Sequence, residues 1–211
     1  MIRVEIWSDV VCPFCYIGKR HLEAALKQFD RRDRVRVVWK SFELDRNADR
    51  GRNTSVYEML SKKYGMSLEE ARQSTVDVAR RAAAVGLIFD FDRVVPANSF
   101  DAHRLAHLAA KHGLEDQAHE RLFAAHFTEG LRIDDLETLR RIGVGLGLDP
   151  EELKKVLEGD DYASDVRQEE KEGLSLGVRG VPFFLFNRTN VISGAQPVSL
   201  FTEALRSASD D

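Results

Sequence analysis

Both cysteines of this 211-residue chain lie in one four-residue segment, Cys12-Pro13-Phe14-Cys15. An apolar, β-branched run at residues 2–8 precedes the segment, and apolar residues recur at helical spacing from Pro13 to about Asp30. These patterns predict a strand and a helix that meet at the cysteines. Pro13 suits the first helical position, because its missing N–H has no partner within a helix there. We therefore expect the dithiol at the N-terminus of a helix that leaves a sheet.

The next part of the chain changes from mixed elements to helices. Residues 35–42 predict a second strand, so the chain opens β-α-β, which is typical of a parallel pair with a right-handed crossover. Residues 54–159 then predict one helix after another. A capping box at residues 67–70 is the clearest helix start, and Asp134 and Asp149 predict two more.

The last part returns to mixed elements. It predicts a helix at 161–176, a buried strand at 181–186, a hairpin partner at 191–193 and a final helix opened by Pro197. Without the helical block, this is the element order of thioredoxin.

We therefore predict an α/β protein, a thioredoxin fold interrupted by an all-helical insertion domain. Residues 1–45 and 160–211 form the thioredoxin-fold domain, and residues 46–159 form the insertion. The composition, 43% hydrophobic and 31% charged residues, supplies enough apolar material to bury a core.

Charge and hydropathy exclude some partners. The net charge is −4 with no strongly basic segment, so nucleic acid is not expected as a partner. No apolar stretch approaches the ~20 residues needed to cross a bilayer. The N-terminus shows no signal-peptide pattern, which predicts a cytoplasmic protein if Met1 is the native start. The thiols are reduced in that compartment, so the two cysteines are not expected to form a structural disulfide.

The position of the two thiols favours thiol–disulfide exchange. Unpaired N–H groups and the partial positive charge of a helix N-terminus stabilise a thiolate at Cys12, the expected nucleophile. Cys15 lies one turn further into the helix, close enough to form a disulfide, and is the expected resolving thiol. A metal site is not predicted, because one C-x-x-C supplies two zinc ligands and there is no second cysteine pair.

Pro182 is the second signal in the sequence. It stands near the start of an apolar strand, where proline cannot donate to the ladder. We predict a cis peptide bond between Val181 and Pro182, with the Val181 backbone turned towards a bound chain.

Four segments in order resemble the FrnE-type branch of the DsbA family. They are residues 8–18 (SDVVCPFCYIG), 98–105 (NSFDAHRL), 180–184 (GVPFF) and 192–197 (ISGAQP). That branch is related to 2-hydroxychromene-2-carboxylate isomerases and kappa-class glutathione transferases, and the similarity spans nearly the whole chain.

The resemblance implies an enzyme, a protein disulfide oxidoreductase that acts on thiol- or disulfide-bearing proteins or small molecules. It implies that Cys12 is the nucleophile, Cys15 its partner and Pro182 the cis residue facing the dithiol. Pro13, Phe14 and Val181 are expected beside them around the substrate. No resident cofactor is expected, with glutathione as the candidate small thiol.

Two other functions remain open, a glutathione-dependent isomerase or transferase and a non-catalytic dithiol module that carries a metal or senses redox state. The isomerase and transferase relatives typically have serine at the position of Cys12, and residues 193–196 lack the acidic residue with which the kappa enzymes usually hold glutathione. Both departures favour dithiol exchange. Secreted DsbA proteins have a histidine between the cysteines, so Phe14 argues against a strongly oxidising potential.

Other polar residues carry weaker hypotheses. Glu5 is either a proton relay beneath the dithiol or a solvent-facing strand residue. His103 and His107 lie four residues apart and share a helix face; we expect a partly exposed pair rather than a metal site.

A second group of polar residues has both a functional and a structural interpretation. Asn98 and Ser99 either touch substrate or cap the helix that follows them. Lys19, Arg20 and His21 either raise the positive potential near Cys12 or form a solvated helix face, which is the favoured interpretation.

Overall fold

A computed structural model describes residues 1–51 and 54–210. Its contacts divide the chain into two compact units, one formed by Met1–Leu44 with Asp165–Asp211 and the other by Asp45–Ser164. The elements of the described residues, in chain order, are β1 (Ile2–Ser8), α1 (Pro13–Lys27), a short 3₁₀ turn (Arg32–Arg34), β2 (Val35–Ser41), α2 (Val56–Tyr64), α3 (Leu68–Ala83), α4 (Phe100–Lys111), α5 (Glu115–Phe127), α6 (Leu136–Gly145), α7 (Pro150–Glu158), α8 (Ala163–Ser175), β3 (Phe183–Phe186), β4 (Asn190–Ser193) and α9 (Val198–Asp210).

The sheet of the first unit has the strand order β2-β1-β3-β4. β1 pairs parallel with β2, while β3 runs antiparallel to both β1 and β4. The β3–β4 turn is tight, with Asn187 and Arg188 at positive φ, a conformation that asparagine tolerates well. The predicted α/β class and interrupted thioredoxin fold are confirmed.

The two faces of the sheet bury different side chains, because side chains alternate along a strand. Val4 and Ile6 point to the face that α1 and α9 cover, where Phe184 packs edge-on against Phe201. Trp7 points to the opposite face. It packs there against three further buried residues, Val178, Phe183 and Leu185.

The regular elements of the second unit are all helices among its described residues. The capping box predicted at residues 67–70 is present, since the Ser67 hydroxyl accepts the Glu70 N–H and the Glu70 carboxylate accepts the Ser67 N–H. A second capping box, of Ser55 and Glu58, starts α2. None of the described helices is long and apolar enough to cross a membrane.

Two predicted boundaries are wrong. Asp135, not Asp134, caps α6, because the Asp134 carboxylate binds Arg132 and the Gly51 N–H instead. The strand predicted from residue 181 begins at Phe183, so Pro182 stands before the ladder. A proline at that position costs no strand hydrogen bond.

Candidate active site

The two thiols lie at the N-terminus of α1, as the sequence pattern predicts. Cys12 is the N-cap residue, with extended backbone angles (φ −94°, ψ 114°) and no side-chain cap bond. Its N–H donates to the Asp9 carbonyl oxygen (3.0 Å), and the Cys15 N–H donates to the Cys12 carbonyl oxygen (3.1 Å). Both cysteines are buried free thiols. The turn between them places both sulfurs beside the loop from β1 to α1.

The loop before β3 meets this turn. The Cys12 Sγ lies 3.5 Å from the Val181 carbonyl oxygen, and the Val181–Pro182 peptide bond is cis. The Gly194 N–H donates to the Pro182 carbonyl oxygen at 2.8 Å, which ties this loop to the end of β4. Gly18 of α1 packs so closely that a Cβ there would lie 3.2 Å from the Pro182 ring.

Burial dominates the electrostatics of Cys15. Removal from water raises the pKa of the Cys15 thiol well above its ordinary value, because a buried sulfur is poorly solvated as an anion. The neighbouring Cys12 sulfur raises this pKa further, by hydrogen bonding and by charge. The Ser8 hydroxyl and the Asp9 backbone act in the opposite direction. Cys15 is therefore held as a neutral thiol at neutral pH.

Asp9 braces the dithiol loop, a role that the sequence pattern did not reveal. Its side chain is fully buried and accepts the Val11 N–H at 3.3 Å and the Leu44 N–H at 2.7 Å. The same residue accepts the Cys12 N–H through its carbonyl oxygen. Asp9 thus links the β1–α1 loop to the segment that follows β2. An aspartate before a C-x-x-C was a visible signal, but its partner Leu44 is distant in sequence.

The amino-acid sequence that forms this site matches a known family. The model of the DsbA-like thioredoxin domain matches residues 3–206. The chain belongs to this family. The resemblance to the DsbA family is thereby confirmed, and the FrnE-type branch stays a prediction.

Individual proteins and solved structures are also similar to this DsbA-like chain. It is similar to the crystal structure of a probable DsbA oxidoreductase from Streptomyces coelicolor (42% identity, TM-score 0.95), covering 100% of this chain and 91% of that one. An uncharacterised Bacillus subtilis protein, YwbO, is 29% identical over 97% of this chain and 96% of its own length. The cytosolic disulfide reductase DsbM of Pseudomonas aeruginosa shares the fold at 20% identity (TM-score 0.66), covering 99% of this chain and 98% of that one.

Glu5 is not the solvent-facing residue that one interpretation of the sequence predicts. It is fully buried in β1, and its carboxylate binds the Arg188 side chain at 2.7 Å and Arg3 at 3.2 Å. Arg188 also binds Glu172 at 2.7 Å, and Glu172 lies 3.4 Å from Lys40. A charged network therefore occupies this part of the sheet face. It pairs the buried carboxylate with arginine charge and gives its Oε1 atom hydrogen bonds from Arg3 and Arg188.

The basic residues of α1 are not a solvated face either. Lys19 is buried and ion-paired with Glu23, which also binds Arg20 at 2.8 Å. Arg20 lies over the Tyr16 ring. His21 contacts the Gln196 carbonyl oxygen through Nδ1 at 2.7 Å. The partner of Lys19 and Arg20 lies on α1 itself, and the partner of His21 lies on the loop after β4. Because Lys19 is buried, its predicted solvent exposure is wrong.

The remaining candidate residues belong to the helical unit. His103 is buried, contrary to the expected partial exposure, and His107 is half-buried and stacked on Tyr162. The Asn98 side chain accepts the Phe100 N–H at 3.1 Å and donates to the Ala48 carbonyl oxygen, whereas Ser99 makes no side-chain cap bond. Within residues 1–51 and 54–210, no three His, Cys, Asp or Glu side chains are grouped to hold a metal ion.

Proposed function

We propose that this DsbA-like chain is a thiol–disulfide oxidoreductase with Cys12 as nucleophile and Cys15 as resolving thiol. The observation that carries the proposal is the pair of free thiols at the N-terminus of α1, Cys12 as its N-cap and Cys15 in its first turn, within a DsbA-like thioredoxin domain. The helix N-terminus favours negative charge at the first sulfur. The raised pKa of Cys15 keeps the second sulfur protonated until it is needed. The two thiols thus have the unequal environments that an attacking and a resolving group require.

The exchange proceeds through a mixed disulfide. The Cys12 thiolate attacks one sulfur of a substrate disulfide, forms a Cys12–substrate bond and releases the other sulfur as a thiolate. Cys15 then loses its proton to solvent and attacks the Cys12 sulfur. The second substrate sulfur leaves as a thiolate, which takes up a proton from solvent, and the Cys12–Cys15 disulfide remains. The substrate is reduced by two electrons and the protein is oxidised by two, and the reverse sequence oxidises a dithiol substrate.

We place the substrate beside Val181 and Pro182, with Pro13 and Phe14 as its other neighbours. The contact of the Cys12 sulfur with the Val181 carbonyl oxygen supports this placement, and Pro13 and Phe14 are only half-buried. An extended peptide joined to Cys12 would run along the Val181 backbone, as peptides do along exposed strands. Glutathione, whose cysteine carries amide N–H and C=O groups on both sides, is the proposed small-thiol partner.

Reduction of insulin by dithiothreitol tests the proposal. The wild-type protein should accelerate precipitation of the insulin B chain, and Cys12→Ser should abolish the acceleration. The same variant distinguishes this function from the alternative, a glutathione-dependent isomerase. Relatives of that class typically carry serine at this position, so an activity of that kind should not depend on the Cys12 thiol. If Cys12→Ser retains full activity, or if wild type and variant are equally inactive with insulin, dithiol exchange is not the function. Equilibration with glutathione buffers then measures whether the protein acts as an oxidant or a reductant.

A further inference from the structure

One buried polar group next to the dithiol has no role in the exchange described above. It is the side chain of Ser8, the last residue of β1, which is 1% exposed. The Ser8 backbone is used by the sheet, since its carbonyl oxygen accepts the Phe42 N–H at 3.1 Å. Its hydroxyl oxygen has no hydrogen-bond partner at bonding geometry among residues 1–51 and 54–210. A buried hydroxyl without a partner lowers the stability of a fold, and such groups occur where they serve a function.

The fold directs this hydroxyl towards Cys15. Ser8 lies on the same sheet face as Ile6, because side chains alternate along β1. Phe184, the register partner of Ile6, meets Gly18 of α1, where a Cβ would lie 3.0 Å from its ring. Cys15 precedes Gly18 by three residues and therefore shares its helix face. The Cys15 side chain thus packs over the end of β1, where Ser8 stands.

The electrostatics agree with this geometry. The Ser8 hydroxyl is one of two groups that lower the pKa of the Cys15 thiol against the effects of burial and of Cys12. A hydroxyl lowers the pKa of a thiol by donating to the thiolate, which is the stronger acceptor. The Ser8 oxygen has no other hydrogen-bond partner among the described residues, so its O–H is available to the Cys15 sulfur.

We propose that Ser8 is a catalytic residue of the exchange, whose O–H donates a hydrogen bond to the Cys15 sulfur whenever that atom carries negative charge. The inference rests on the proposed oxidoreductase function. The charge appears twice. It appears when Cys15 loses its proton to attack the mixed disulfide, and again when a substrate thiolate attacks Cys12 of the oxidised protein. In the second case the Cys12–Cys15 bond breaks and its electron pair stays on the Cys15 sulfur, which Ser8 then stabilises.

Alkylation of a single thiol tests the hydrogen bond without a substrate. In the Cys12→Ser protein, the rate of Cys15 alkylation by iodoacetamide is measured against pH by mass spectrometry. Adding Ser8→Ala should move the midpoint of this profile to higher pH. The matched control is Ser41→Ala, a buried serine that stands opposite Ser8 on β2. This control should leave the midpoint in place.

A second pair of variants separates the hydroxyl from its volume. Ser8→Thr keeps the hydroxyl and Ser8→Val replaces it with a methyl group of the same shape, so only Val should raise the alkylation midpoint. The comparison of Ser8→Thr with Ser8→Val tests the hydroxyl group even if Ser8→Ala does not fold. The role of Ser8 is overturned if Thr and Val give the same midpoint, or if Ser41→Ala shifts it as much as Ser8→Ala does.

The reaction itself supplies the second readout. Reduced protein with wild-type cysteines is mixed with 5,5′-dithiobis(2-nitrobenzoate), which forms a mixed disulfide at Cys12 and releases a second thionitrobenzoate when Cys15 attacks. Loss of one hydrogen bond to a charged sulfur lowers the thiolate fraction about tenfold. A thiolate whose thiol has a higher pKa is also a stronger nucleophile, and this gain offsets about half of the tenfold loss on a logarithmic scale. The second release in Ser8→Ala should therefore be about threefold slower.

The two hypotheses fail in different ways. If the wild-type protein does not reduce insulin but the Ser8 variants shift the alkylation midpoint, the proposed function fails and the hydrogen bond stands. If the protein reduces insulin and neither the midpoint nor the second release changes in Ser8→Ala, the role of Ser8 is wrong and the function stands.

Discussion

The Cys12 sulfur lies 3.5 Å from the Val181 carbonyl oxygen, which brings the N-terminus of α1 and the loop before β3 together at one atom. The loop is itself held to the sheet, because the Pro182 carbonyl oxygen accepts the Gly194 N–H. A substrate that binds Cys12 as proposed would therefore meet a backbone segment that is already in place. Preorganisation of this kind lowers the entropic cost of ordering the site on binding.

The first prediction concerns the roles of the two cysteines. With substoichiometric iodoacetamide at pH 7, Cys12 should be alkylated before Cys15, because burial raises the pKa of Cys15 and leaves little thiolate there. Cys15→Ser should accumulate mixed disulfides with a thiol substrate, whereas Cys12→Ser should form none. Peptide mapping by mass spectrometry measures both. The assignment is wrong if Cys15 reacts first or if the two serine variants trap substrate equally.

The second prediction concerns the pH dependence of stability. In Cys12→Ser, burial still raises the pKa of Cys15 in the folded state above the ordinary value of 9.0. The unfolded chain therefore releases this proton at a lower pH than the folded protein does. The free energy of unfolding should be independent of this group below pH 9.0 and should fall above it, by about 1.4 kcal/mol per pH unit until the folded thiol also titrates.

Urea denaturation between pH 7 and 10.5 measures this loss. Lysine and tyrosine residues also titrate at the upper end of that range, so the control is Cys12→Ser combined with Cys15→Ala. Subtracting the two curves isolates the Cys15 contribution. Parallel curves for the two proteins would show that Cys15 has the same pKa in the folded and the unfolded state.

The third prediction concerns the close approach of α1 to the sheet. A Cβ at Gly18 would lie 3.0 Å from the Phe184 ring and 3.2 Å from the Pro182 ring. Gly18→Ala should therefore destabilise the protein by about 1–2 kcal/mol, the cost of overpacking less the gain in helix propensity. Insulin reduction should also slow, because Pro182 must shift. Thermal denaturation and the insulin assay measure the two effects.

Gly145→Ala is the matched control for this substitution. Gly145 ends α6, and an added Cβ there meets no atom within 4 Å. The control should be neutral or stabilising by up to about 1 kcal/mol. Equal effects of the two substitutions would contradict tight packing between α1 and the Pro182 loop.

The fourth prediction concerns the buried charge of β1. Glu5→Gln should lower the free energy of unfolding by about 2 kcal/mol, because it removes the buried member of an ion pair. The cost is below that of a fully buried pair, since the Arg188 side chain is 47% exposed and keeps Glu172. Glu172→Gln, which removes a 29% exposed partner of the same arginine, should cost less than about 1 kcal/mol.

Denaturant unfolding of both variants provides the comparison. A proton relay at Glu5 would instead appear as a changed pH profile of insulin reduction in Glu5→Gln, with stability unchanged. Equal losses of stability in Glu5→Gln and Glu172→Gln would show that burial adds nothing to the Glu5–Arg188 interaction.

The sequence by itself determines the local elements and the position of the dithiol. Strand β1, helix α1 and the cap of α3 depend on residues within a few positions of one another, so their periodicity and capping residues suffice. The same holds for the Cys12–Cys15 spacing, which places both thiols in one helical turn. These features were predicted within about three residues of their observed bounds.

Tertiary structure alone decides what surrounds those elements. Glu5 is buried because Arg188, 183 positions away, lies beside it across the sheet. Asp9 reaches Leu44 for the same kind of reason, and Ser8 approaches Cys15 only because α1 packs on that face of β1. Strand order and helix placement create these contacts. A periodic pattern states which side of an element is buried, but not which distant residue it is buried against.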